Sequence, residues 1–164
     1  MKFSIMVLVA LLFATSALKA QTPIEFNDIL VNITDSFYAK GQQWGRMFNE
    51  ARKTNEFSKL EQTRLILEKF CNEKVTEVSM MKDVGGSESL RKAMINYLLF
   101  EKEMVSKAFM PLEKIPSTAS PSEVDSALKK LNELAEKENE MLHLVNEAQV
   151  AYAKKHGFKI EASE

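Results

Sequence analysis

Glu140-Met141-Leu142-His143 carries the most explicit chemical spacing in this 164-residue chain. A glutamate and a histidine three residues apart on a helix can meet one metal ion, and di-iron helix bundles use two such pairs with further glutamates. Only one pair is present, because His156 has Ala153 three residues before it. Met141, Leu142 and Val145 mark an apolar stripe, which puts Glu140 and His143 at its edge. A solvated flank is therefore expected, and His143 stays a weak ligand candidate with no assembled metal site around it.

Other reactive groups are equally isolated. Cys71 is the sole cysteine, so it is either a buried thiol or a link between two chains. Its place between Leu67 and Val75 at four-residue spacing favours burial, where cysteine packs as a small hydrophobe. Met80, Met81, Met94, Met104, Met110 and Met141 could suggest copper, but their helical dispersal fits adaptable core packing better. A serine or cysteine nucleophile needs a base, and neither histidine has the context for one. The absence of Cys-x-x-Cys-His excludes covalent haem. Gly85-Gly86-Ser87 before a helix could hold an anion, though many helix starts look like this. Asn32-Ile33-Thr34 matches a glycosylation sequon inside a helical pattern. No enzyme activity and no cofactor are expected.

The stretch Tyr38-Ala39-Lys40-Gly41-Gln42-Gln43-Trp44-Gly45-Arg46 contains two of the five glycines and the only tryptophan. A glycine inside a helix costs about 1 kcal/mol relative to alanine, so something should compensate. The expected compensation is steric: the missing side chains admit large residues of a neighbouring helix, with Trp44 filling the next layer. The functional alternative is a cavity at Gly41, Trp44 and Gly45 that receives a ligand, with Gln42 or Gln43 offering polar contacts. The glycine spacing would be a membrane dimerisation signal only in an apolar segment, which this is not.

Four amphipathic helices must position these groups. Thr22-Pro23 opens the first as N-cap and first helical residue. Leu30, Phe37, Trp44 and Ala51 then form one seven-residue row, and Phe26, Ile33 and Met47 most of another, with Lys40 interrupting it. The rows pass through the glycine stretch in phase, which predicts a continuous helix. Ser58 and Glu61 have the spacing of a capping box for the second helix, whose stripe runs through Leu60, Leu67, Phe70, Cys71, Val75, Val78 and Met81. Gly85-Gly86 should end it. Ser87 is expected to cap a third helix carrying Leu90, Met94, Tyr97, Leu98, Val105 and Phe109, and Pro111 should kink or stop it.

Residues 111–121 form the one substantial loop. Ser120-Pro121-Ser122-Glu123 repeats the capping-box pattern before a fourth helix striped by Val124, Leu128, Leu131, Ala135, Met141, Leu142, Val145 and Tyr152. Lys154, Lys155 and His156 suit its last turn, Gly157 a left-handed cap, and Phe158 a fold-back onto that turn. No alternating run is long enough for a sheet. The expected fold is an all-α, antiparallel four-helix bundle with up-down-up-down order.

Residues 1–20 have the layout of a secretory signal peptide: Lys2, an apolar run from Ile5 to Ala14, then small residues. The run is shorter than the about 20 residues a bilayer span needs. Cleavage after Ala20, or alternatively Ala17, would leave residues 21–164 as one bundle domain. No cysteine follows the run to take a bacterial lipid anchor, and no later segment is apolar enough for a span. Loss of Lys2 and Lys19 takes the 22 basic residues to 20 against 23 acidic ones, a net charge of −3. That balance lacks the basic footprint of a nucleic-acid binder. Lys129, Lys130, Glu133, Glu136, Lys137 and Glu140 make a mixed, solvated face without sign bias.

Two patches resemble a family of small exported bacterial surface proteins of unknown function. They are Phe26-Asn27-Asp28-Ile29-Leu30 entering the first helix, and residues 148–158, Ala-Gln-Val-Ala-Tyr-Ala-Lys-Lys-His-Gly-Phe, closing the last. The resemblance implies a helical bundle outside the cytoplasm and supplies no catalytic residues. Two functions are expected in that order. The first is a non-enzymatic binding or structural role in the periplasm, at the cell surface or after secretion, toward a protein or envelope component, as monomer or weak homo-oligomer. The second is a carrier holding a small molecule or metal in the bundle interior near Trp44.

Overall fold

The computed structural model describes residues 21–160, so the expected signal peptide lies outside the described residues. Among these the chain is all-α and strandless, and four helical rods build the bundle. The first rod, α1, runs Pro23–Thr54, and α2 runs Glu61–Met80 after a 3₁₀ turn at Phe57–Leu60. The third is composite: α3 at Glu88–Met104, a π turn at Val105–Phe109, and α4 at Met110–Glu113. The last rod, α5, spans Pro121–His156. Successive rods are neighbours around the bundle, with the closest packing between α3 and α5 and the sparsest where α5 returns to α1.

The seven-residue row of α1 explains its continuity. Leu30, Phe37, Trp44 and Ala51 are all buried, so one apolar seam holds 32 residues in phase despite two glycines. Thr22 and Ser120 both form full capping boxes, with Glu25 and Glu123 returning the bond. Gly157 ends α5 in the left-handed region at φ 71°, where glycine meets no steric penalty. The Phe158 N–H then donates to the Ala153 carbonyl, and the Phe158 ring sits 6.0 Å from Tyr152.

Two caps differ from expectation. Ser58 makes no capping bond to the start of α2 and sits within the 3₁₀ turn. That turn exists because Phe57 and Leu60, one 3₁₀ turn apart, are both driven into the core. Ser87 precedes α3, but its hydroxyl serves the α2–α3 loop, accepting from Val84 N–H and donating to Asp83. That loop, which holds Gly85 and Gly86, follows an α2 already ended at Met80.

Pro111 neither stops the third rod nor simply kinks it. Proline cannot donate, and its ring opposes the carbonyl four residues back. The chain answers by widening the preceding turn, so that Met110 N–H reaches the Val105 carbonyl in the i to i−5 pattern. Helix then continues to Glu113. The stripe of α5 also departs from expectation at its centre: Leu134 is buried, whereas Ala135 and Leu142 are exposed. The reason is a cavity beside this part of α5.

Candidate functional site

The cavity measures about 750 Å³ and lies between α1, α3 and the middle of α5. From α1 it is lined by Thr34, Asp35, Phe37, Gly41 and Trp44; α3 and the π turn contribute Tyr97, Glu101, Met104 and Phe109. Leu131 and Glu138 close it from α5. Exposed lining residues of α1 and α5, among them Tyr38, Gln42, Ala135 and Leu142, place its mouth at the loosely packed seam between those helices. Asn27 and Gln149 bridge the same seam nearer the chain ends, the Gln149 amide donating to Asn27 Oδ1 at 2.9 Å.

The glycine stretch is continuous helix, as its phase predicted, but the steric account of it is overturned. A side chain at Gly41 or Gly45 would meet no atom of another element within 4 Å. No large residue occupies the missing volume, and at Gly41 that volume belongs to the cavity. Trp44 lines it too, stacked on Phe48 at 5.2 Å and on Phe109 at 3.8 Å between ring centroids. Gly45 lies a turn away and is not part of the wall.

His143 is elsewhere. Its side chain is 69% exposed, with Nδ1 3.6 Å from Glu147 Oε1, and it does not line the cavity that Trp44 lines. Among the described residues no group of three or more His, Cys, Asp or Glu side chains converges as a metal site. Cys71 is fully buried, and burial followed by the negative charge of Glu101 pushes its thiol up to about 12.

Glu101 and Glu138 are the functional candidates that sequence reasoning missed. Glu101 is 1% exposed yet contributes to the cavity wall. Burial first, and then the neighbouring Glu138 carboxylate, raise its carboxyl to about 9, while Tyr97 acts in the opposite direction. Glu138 is also raised, chiefly by burial. Two carboxyls so placed titrate as a pair and retain a proton at neutral pH. Tyr97 is pushed above its ordinary range by burial and by Glu101.

A signal for both was present. Glu101 stands between Met94 and Ala108 in a seven-residue row, and Glu138 between Leu131 and Val145 in another. A charged residue in the phase of a core stripe is the mark of a polar interior. Two lining residues also keep buried polar atoms without a hydrogen-bond partner, Trp44 Nε1 and Glu101 Oε1. Such atoms are costly to leave unpaired, and here both belong to side chains of the cavity wall.

Comparison with family models, curated proteins and solved structures finds no match. No helix among the described residues is long and apolar enough to cross a membrane.

Proposed function

We propose that this chain is an exported, non-enzymatic binding bundle, acting in the periplasm, at the cell surface or after secretion, and that it holds a small, largely apolar molecule between α1, α3 and α5. The export element rests on the leader-like residues 1–20 and on the resemblance to small exported bacterial proteins. The binding element rests on one observation: a cavity of about 750 Å³ in the bundle interior whose walls keep Trp44 Nε1 and Glu101 Oε1 unpartnered. Ligand sites are commonly apolar hollows of about 300–1,000 Å³ with a few convergent polar groups, often between the helices of bundles.

Native mass spectrometry of the protein purified from its host envelope without chelators tests this reading. Extra mass on the folded chain, lost when Gly41→Leu fills the cavity, is the expected result. A bare chain whose Trp44 emission is unmoved by a panel of small apolar amines, alcohols and acids would overturn it.

A further inference from the structure

The cavity wall has an unusual charge composition for an interior. Glu101 is buried in it and Glu138 half-buried, Asp35 stands exposed at its edge, and no lysine, arginine or histidine lines it. Buried carboxyls are normally balanced by a basic partner, as Arg64 balances Glu113 at 2.6 Å elsewhere in this bundle. Here no basic side chain among the described residues lines the wall to balance them. The rest of the wall includes the rings of Trp44, Tyr97 and Phe109. Aromatic faces attract cations and repel anions. An anion would find neutral donors in Thr34, Tyr38, Gln42, Trp44 and Tyr97 but no positive charge, and it would stand against the Glu101 and Glu138 carboxyls. A divalent metal would lack a full ligand set, because among the described residues no third His, Cys, Asp or Glu converges with the pair.

We propose that the ligand is an organic monocation, a primary or secondary amine on an apolar body, whose ammonium group lies between Glu101 and Glu138 while its body packs on Trp44 and Phe109. This deepens the cavity-binding reading and rests on it. The ammonium N–H groups donate to Glu101 Oε1 and to Glu138, and the proton that the carboxyl pair held is released to solvent. Affinity therefore rises with pH as the pair ionises, up to the point where the amine itself loses its proton. The groups that face Glu101 and set this profile are Cys71 on α2, Tyr97 on α3 and Glu138 on α5.

Titration of the purified protein with phenethylamine, octylamine and their neutral alcohol and carboxylate counterparts, read by Trp44 emission and calorimetry, tests the assignment. The amines should bind at least about tenfold more tightly than the alcohols, as expected for charge-assisted hydrogen bonds. The preference should increase from pH 6 to pH 8 and shrink in both Glu101→Gln and Glu138→Gln, with helicity and melting confirming that each variant folds. Equal binding of amine and alcohol would overturn the monocation and leave the cavity reading standing. Binding by no probe at all would overturn both. Quenching by calcium or zinc alone, without an amine effect, would replace the amine with a metal.

Discussion

Trp44 and Phe109 lie face to face, their ring centroids 3.8 Å apart and their planes 8° from parallel. Offset or edge-on arrangements are usually favoured over such a sandwich. Phe109 is held there by its position as the last residue of the π turn that Pro111 imposes. The helix irregularity and the aromatic wall of the cavity therefore have one cause. Restoring regular helix with Pro111→Ala should let the turn relax and move Phe109 off the indole. A blue or red shift of Trp44 emission with little change in helicity is expected; an unchanged spectrum would separate the turn from the stack.

Glu101→Gln should stabilise the protein, increasingly so at alkaline pH. The folded carboxyl, at about 9, stands above its ordinary value of 4.5, so the folded state binds the proton more tightly than the unfolded one. Its contribution to stability is full below 4.5 and is lost as pH rises through 9. The wild type should melt at progressively lower temperature between pH 5 and pH 9 relative to the variant. Parallel melting profiles for the two proteins would refute the buried, protonated placement.

At Gly41 and Gly45 an added methyl meets only open space. Each Gly→Ala change should therefore raise stability by about 0.4–1 kcal/mol, through the reduced freedom of the unfolded chain. Urea denaturation measures this directly. Destabilisation at either position would reinstate the close helix contact that the spacing suggested.

The three serines before helices should separate cleanly. Ser120→Ala removes a real cap and should cost about 1 kcal/mol. Ser58→Ala removes none and should stay within about 0.5 kcal/mol of wild type. Ser87→Ala strips a fully buried hydroxyl from Val84 N–H and Asp83, with an expected cost of about 1–3 kcal/mol.

Cys71 should resist thiol reagents until the protein unfolds, since the thiol is fully buried and pushed up to about 12. Labelling of native protein at pH 8 should proceed no faster than unfolding itself. A rapid stoichiometric burst would show that the thiol meets solvent.

Much of the fold could be read before the structure, and the reasons are local. Row spacing in α1, the boxes at Thr22 and Ser120 and the glycine end of α5 each depend on residues within one or two turns. Ser58 shows the limit of that reading, because its spacing to Glu61 matches a true box. The burial of Phe57 and Leu60, a tertiary effect, decided against it. The site was half legible. Gly41 and Trp44 were marked by composition, but whether a missing side chain is filled by a neighbour depends on the opposite helix. Glu101 and Glu138 come from different rods, and no local pattern announces that two charges will share an interior.

The sparse seam between α5 and α1 makes the bundle a split ring rather than a closed one. Three joints between consecutive rods are firm, and the fourth is fastened near the chain ends by Asn27 with Gln149 and by Phe26 against Tyr152 at 5.9 Å. A ring of that kind opens like a clasp. Admitting a guest asks the two rims beside Tyr38 and Leu142 to part, while every helix keeps its own backbone hydrogen bonds.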